Sequence, residues 1–75
     1  MNNKLQGIFA EVLGVPLESI HAGTTVDTEA EWDSLRHMNL IFAIEDGFGI
    51  RFDDDEIASL TSFQAMERAV QAKKQ

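Results

Sequence analysis

The residues of this chain with the clearest chemical potential are an aspartate and a serine that open a hydrophobic segment. Ser34 follows Asp33 and precedes Leu35, and a serine at a helix start most often serves only as the cap of that helix. Because Asp33 can supply the cap, the Ser34 hydroxyl is left free in the first helical turn. A phosphate ester there would lie against unpaired backbone N–H groups and the positive end of the helix dipole. Ser34 is therefore a candidate attachment site for a phosphodiester, and a plain cap is the alternative.

The other residue types that could do chemistry form weaker patterns. His21 and His37 have no nucleophile arranged around them, so an enzyme is not predicted, although His37 could border a docking surface. The acidic run 53–56 lacks the alternating oxygen ligands and the central glycine of an EF-hand loop, so no specific metal site is expected. The chain contains no cysteine, which excludes disulfides, thiolate metal sites and a thiol nucleophile.

Length and charge restrict the class of protein. Seventy-five residues allow one small domain, over residues 1–75, and are too few for a catalytic fold of ordinary size. Thirteen acidic against six basic residues give a net charge of −7, which disfavours nucleic acid and membrane surfaces as partners. The expected partner is a protein with a basic patch, and acidity for solubility alone is the alternative. The longest apolar run, 40–44, is too short for a membrane span or a signal peptide, so the cytoplasm is the default location.

The spacing of apolar residues predicts a first helix and a long loop ahead of Ser34. Apolar residues between 5 and 13 recur at helical intervals, which predicts helix 1 at about 3–13, ending at Gly14. The segment from 15 to about 32 has no sustained periodicity and carries many turn residues, so it is predicted as a loop. Four apolar residues could fix this loop to the core: Val15, Leu17, Ile20 and Val26.

Three further helices are predicted after the loop. Helix 2 should run over about 34–48 with Asp33 as its cap. The acids at 53–56 favour a short helix 3, because they complement its N-terminal dipole. A capping box formed by Thr61 and Gln64 should open helix 4. The fold class is therefore all-α: a small four-helix bundle, with three longer helices, one short helix and a long loop between helices 1 and 2.

Helix 2 carries two apolar stripes, which is more than one packing surface normally needs. The first stripe consists of Leu40, Ile41, Ile44 and Phe48. The second stripe, called the ridge below, consists of Leu35, Met38 and Phe42. If both stripes are buried, helix 2 is the central element of the core. If the ridge is exposed, it is a docking surface surrounded by acids.

The segment Trp32-Asp33-Ser34-Leu35, the hydrophobic helix after it and the run 45–50 resemble the signature of acyl carrier proteins. The similarity extends over nearly the whole chain, and Asp33 matches the aspartate that precedes the modified serine. The resemblance implies a 4′-phosphopantetheine arm on Ser34, transferred from coenzyme A by a carrier-protein synthase, a phosphopantetheinyl transferase. It further implies a carrier, not an enzyme, that holds acyl groups as thioesters in fatty-acid, polyketide or a specialised acyl pathway.

The resemblance also implies which residues meet partner proteins. In the family, the positions that match Leu35, Met38 and Phe42 contact partner enzymes. The acids around helix 2, here Glu45 and Asp46, meet basic patches on acyl-transferring or acyl-modifying enzymes. A monomer is the default oligomeric state.

Several positions depart from the fatty-acid type of this family. Arg36 and Asn39 stand where acids are common, Trp32 replaces a small or aliphatic residue, and Gly47 interrupts helix 2 at a cost of ~1 kcal/mol relative to alanine. Arg36 and Asn39 favour a dedicated partner over the general fatty-acid enzymes. Two alternatives stay open: an aminoacyl or peptidyl carrier, which the acidity disfavours, and an unmodified acidic interaction module in which Ser34 is only a cap.

Overall fold

The computed structural model describes residues 2–74 and has the helical architecture that the sequence predicts. In chain order the elements are α1 (Asn3–Leu13), one turn of 3₁₀ helix η1 (Leu17–Ser19), α2 (Ser34–Phe48), α3 (Asp54–Ser59) and α4 (Phe63–Lys74). The predicted fold class is confirmed, because three longer helices and one short helix form a bundle of 28 × 23 × 19 Å. Over residues 2–74, no helix combines the length and the apolar character that crossing a membrane requires.

One face of each long helix forms the core. The buried residues of these helices are Leu5, Phe9 and Leu13 of α1, Leu40, Ile41 and Ile44 of α2, and Phe63, Met66 and Val70 of α4. Phe9 lies between two aromatic rings, with its ring centroid 5.2 Å from that of Trp32 and 5.1 Å from that of Phe63, both edge to face. This geometry favours aromatic pairs, and it joins α1 to α4 and to the end of the long loop.

The ends of α1 and α2 follow from local capping residues. The Asn2 side chain accepts a hydrogen bond from the Leu5 N–H at 3.1 Å, which caps the start of α1. Gly14 and Gly49 end α1 and α2 in the left-handed conformation, with φ of 69° and 67°. Glycine adopts this conformation without the steric cost of a side chain, so both helices end where the sequence predicts.

The predicted capping box of Thr61 and Gln64 is wrong. The Ser62 hydroxyl accepts a hydrogen bond from the Ala65 N–H at 3.0 Å, and α4 starts one residue later than that box requires. The physical reason is a contact with the long loop, because the Thr61 carbonyl accepts from the Val26 N–H at 3.0 Å. Thr61 therefore remains outside the helix next to the loop, and α4 begins beyond it.

A reciprocal capping box is found instead at the start of α3. It pairs Asp53 with Glu56, whose Oε1 accepts a hydrogen bond from the Asp53 N–H at 2.9 Å. The ammonium of Lys73 lies 2.9 Å from the same oxygen and ties α4 to α3. The Asp53 N–H, and then Lys73, stabilise the charged form and lower the pKa of the Glu56 carboxyl below its usual value.

The long loop is fixed to the bundle by three of the four predicted apolar residues. Ile20 is buried, and Val15 and Val26 are half-buried against the core. The prediction for Leu17 is wrong, because this side chain is 50% exposed. Its backbone is held instead, since Gln6 Nε2 donates to the carbonyls of Leu17 and Ile20 at 3.1 and 2.9 Å.

Candidate functional site

Ser34 is exposed and occupies the first position of α2, where the sequence places it. Asp33 precedes it in extended conformation, and Asp33 Oδ1 accepts a hydrogen bond from the Arg36 N–H at 2.8 Å. The predicted cap is therefore confirmed, and Asp33 rather than Ser34 provides it. The N–H groups of Ser34 and Leu35 belong to the first helical turn, which has no intrahelical acceptors for them. A solvent-facing hydroxyl thus lies next to two backbone donors and the positive end of the α2 dipole.

Arg36 is held close to Ser34 by two acids. Its Nη1 lies 3.0 Å from Glu31 Oε2 and 3.6 Å from Asp33 Oδ2, and it also donates to the Glu31 carbonyl at 3.2 Å. The guanidinium offsets part of the negative charge of these acids, so the surface at the start of α2 is not uniformly acidic. Arg36, which departs from the acidic pattern of the family, therefore forms a local ion-pair cluster with Glu31 and Asp33.

The structure separates the two apolar stripes of α2. Leu40, Ile41 and Ile44 of the first stripe are buried. In the ridge, Leu35 is 72% and Phe42 60% exposed, while Met38 is half-buried. The ridge therefore extends along the outer side of α2, from the residue after Ser34 toward the C-terminal half of the helix.

The two acids proposed to accompany the ridge differ in environment. Asp46 is exposed, whereas Glu45 is half-buried and its Oε2 accepts a hydrogen bond from the Phe52 N–H at 2.9 Å. Glu45 therefore has a structural role that sequence reasoning missed, because it holds the segment after α2. Both acids line a groove of about 560 Å³ with Arg51 and the ring of Phe42.

A second groove of about 560 Å³ adjoins Ser34 where the long loop, α2 and α3 meet. Its lining residues are Val26, Trp32, Asp33, Ser34, His37, Met38, Ala58 and Thr61. The groove is mostly apolar and opens beside the Ser34 hydroxyl. A group attached to Ser34 would therefore begin at the edge of this groove.

Trp32 and His37 form the inner wall of this second groove. Trp32 is only 4% exposed, and its Nε1–H donates to His37 Nδ1 at 3.0 Å. His37 Nε2 lies 2.9 Å from the Ile57 carbonyl oxygen of α3, and the indole and imidazole rings lie side by side, with centroids 6.0 Å apart and an interplanar angle of 26°. Sequence reasoning treated His37 as a surface histidine. The sequence signal that could have revealed this contact was Trp32 itself. A buried indole N–H needs an acceptor, and His37 lies five residues later, near the start of α2.

The remaining candidates take no part in this site. His21 is exposed, and its Nδ1 accepts a hydrogen bond from the Gly23 N–H at 3.0 Å within its own turn. Among the residues that the structure describes, no three side chains of the histidine, aspartate or glutamate type group closely enough to hold a metal ion.

Known proteins resemble this chain over most of its length. Residues 3–70 match a family model described as a phosphopantetheine attachment site. The chain is 31% identical over 70 residues to Acyl carrier protein 3 of Ralstonia nicotianae, which covers 93% of this chain and 80% of that protein. It is 32% identical over 56 residues to an acyl carrier protein of Acidothermus cellulolyticus, which covers 75% of this chain and 67% of that protein.

Proposed function

This chain belongs to the phosphopantetheine-attachment family of the acyl carrier proteins, and on that premise we propose that Ser34 is its attachment residue. Members of this family are carriers and not catalysts, and they hold 4′-phosphopantetheine covalently. When bound, the group supplies a thiol that holds a cargo as a thioester. The chain itself has no cysteine that could do so.

The observation that carries the proposal is the exposed Ser34 hydroxyl beside a cap supplied by another residue. In the attachment step, a bond forms between Ser34 Oγ and a phosphorus atom of coenzyme A, and the pyrophosphate bond of coenzyme A breaks. Adenosine 3′,5′-bisphosphate leaves, and the hydroxyl proton passes to a base of the transferase. The phosphodiester that results carries a negative charge, which the N–H groups of Ser34 and Leu35 and the α2 dipole stabilise.

The cargo that we propose is an acyl group, carried between enzymes that dock on the ridge. Leu35 and Phe42 expose apolar surface that a partner can cover, and Met38 connects them. Asp46 and Glu45 lie beside Phe42 and can pair with basic groups of the partner. A contact of this size is small, which suits a carrier that must leave each enzyme after each step.

The ion-pair cluster of Arg36 supports a dedicated partner in a specialised acyl pathway. Glu31 and Asp33 are partly neutralised by Arg36, so the acids of α2 itself that remain for a basic partner, Glu45 and Asp46, lie at the far end of the ridge. An enzyme of general fatty-acid synthesis that requires acids next to the serine should therefore use this carrier poorly. Turnover at the full rate of a housekeeping carrier would contradict this part of the proposal.

Intact mass spectrometry tests the attachment site directly. The protein is incubated with coenzyme A and a phosphopantetheinyl transferase, and one added phosphopantetheine group is expected. The Ser34→Ala variant should stay unmodified, and Ser59→Ala, at another exposed serine, should be modified like the wild type. A wild-type protein that gains no mass would support the unmodified interaction module. Modification of Ser34→Ala would show that the phosphopantetheine is attached to another residue.

The mass of the protein isolated from its native cells then identifies the cargo. An acyl mass on Ser34 agrees with the proposal, whereas an amino acid would favour the aminoacyl or peptidyl carrier.

A further inference from the structure

The His37 side chain forms hydrogen bonds to two separate segments of the chain, and the proposed function does not account for them. One is Trp32, which stands two residues before Ser34 and packs its ring against Phe9. The other is the Ile57 carbonyl, near the C-terminus of α3, which accepts a long hydrogen bond of 3.4 Å from the Leu60 N–H and a shorter one from His37. The imidazole spans the gap between them with two hydrogen bonds of 3.0 and 2.9 Å.

The two partners determine the protonation state of His37. The indole Nε1–H of Trp32 is only a donor, so His37 Nδ1 must accept and cannot carry a proton. The Ile57 carbonyl oxygen is only an acceptor, so His37 Nε2 must carry the proton. The arrangement therefore requires the neutral imidazole in its Nε2–H tautomer.

We propose that His37 is a positioning residue that holds the segment before Ser34 with one nitrogen and α3 with the other. The hydrogen bond from Trp32 keeps the chain that leads into α2 in one place, and the hydrogen bond to Ile57 keeps α3 against the second groove. The placement of the two segments stands on the contacts alone. Its consequence for loading rests on the proposed function.

Acidification should release one end of this connection and not the other. A protonated imidazole carries N–H groups on both nitrogens, so Nδ1–H then opposes the indole N–H and the hydrogen bond to Trp32 is lost. The hydrogen bond from Nε2 to the Ile57 carbonyl remains, because Nε2 keeps its proton.

The charged groups around His37 are paired with other groups and do not account for this change. Asp33 lines the same groove, but its carboxylate caps α2 and faces Arg36. On α3, the Glu56 carboxylate faces the Asp53 N–H and Lys73. On the loop, Glu31 faces Arg36.

The first test uses the unmodified wild-type protein. Nitrogen-15 NMR of the imidazole at neutral pH should show the Nε2–H tautomer for His37, and the Nδ1–H tautomer would overturn the proposal. Trp32 is the only tryptophan of the chain, so its fluorescence reports on this bond without interference. Its emission should change reversibly when the protein is acidified, and unchanged emission would also overturn the proposal.

Two substitutions separate the two ends of the connection. His37→Asn places an acceptor where Nδ1 lies and should keep the bond to Trp32, with emission that no longer depends on pH. His37→Gln places a donor where Nε2 lies and should keep the bond to Ile57. Loss of one hydrogen bond should raise amide exchange in α3 about fivefold in His37→Asn and leave it unchanged in His37→Gln. His21→Gln, at the exposed histidine, is the matched control and should behave as the wild type in every measurement.

The transferase assay tests the consequence for loading. His37→Gln should raise the KM for the carrier about threefold or more with kcat unchanged, because fewer molecules present Ser34 in the competent position. His37→Asn should load as the wild type does. Equal KM values for the two variants would overturn the positioning role. If no protein is loaded, wild type included, the proposed function fails, and the NMR and fluorescence results still decide the hydrogen bonds.

Discussion

Truncation of Phe42 to alanine tests whether this side chain serves docking or the core. A fully buried Phe→Ala substitution costs about 3–5 kcal/mol, partly because it leaves a cavity. Phe42 is 60% exposed, so the substitution removes less than half of the buried area that a core phenylalanine would lose. Solvent can fill the space that is left. We therefore expect the free energy of unfolding to fall by only about 1 kcal/mol.

The expected effect of Phe42→Ala on docking is larger than its effect on folding. The exposed part of the ring offers on the order of 100 Å² of apolar surface. If a partner covers about half of that area, its loss costs about 1.3 kcal/mol at 25 cal/mol per Å². This corresponds to an increase of about tenfold in the KM of a partner enzyme for the carrier.

Two measurements check this prediction on the same protein. Urea denaturation gives the free energy of unfolding, and the KM of a phosphopantetheinyl transferase for the unmodified carrier reports docking. Leu17→Ala is the matched control, because Leu17 is also an exposed apolar residue, at 50%, but lies in η1 outside the ridge. It should lower the free energy of unfolding by a similar amount, about 1 kcal/mol, and leave the KM unchanged. A loss of 3 kcal/mol or more in Phe42→Ala, or an unchanged KM, would refute the reasoning.

Three other predictions concern stability. In urea denaturation, Asp33→Ala should lower the free energy of unfolding by about 1 kcal/mol through loss of the α2 cap. Asp33→Asn keeps an acceptor oxygen and should lower it less. Equal losses in the two variants would contradict the cap. The pKa of Glu56 is lowered in the folded protein, so its charged form stabilises the fold above the pKa of the unfolded chain, and this stability is lost as pH falls through the folded-state pKa. Between about pH 5 and pH 3, the melting temperature should therefore fall more steeply for wild type than for Glu56→Gln. Parallel curves would count against this prediction. Gly47→Ala should stabilise by up to about 1 kcal/mol in urea, because its new Cβ would meet only flexible side-chain ends, Ile8 Cδ1 at 3.2 Å and Lys4 Cε at 3.8 Å. Gly49→Ala, at φ +67°, should destabilise, and the reverse order would contradict the prediction.

The start of the candidate site could be predicted because its signals are local. The Asp33 cap of α2 depends on a hydrogen bond that reaches three residues along the chain. Gly49 ends the same helix through its own backbone conformation. Such interactions are contained within one helical turn, so residue type and spacing are sufficient to place Ser34 in that turn.

The inner wall of the site could not be predicted in the same way. Trp32 and His37 are five residues apart, but their contact depends on Phe9 to bury the indole and on Ile57 to accept from the imidazole. The role of Glu45 likewise depends on where the chain returns after α2. These partners come from separate elements, and only packing brings them together.

By itself, the sequence determined which segments are helical, where α1 and α2 begin and end, and that a capped serine opens α2. Tertiary structure decided which of the two apolar stripes of α2 is buried, since both have helical spacing and burial depends on where α1 and α4 pack. It also moved the start of α4 beyond Thr61, through a hydrogen bond to the distant Val26. Helix formation depends on neighbours within about four residues, whereas burial depends on contacts between elements that are far apart in the chain.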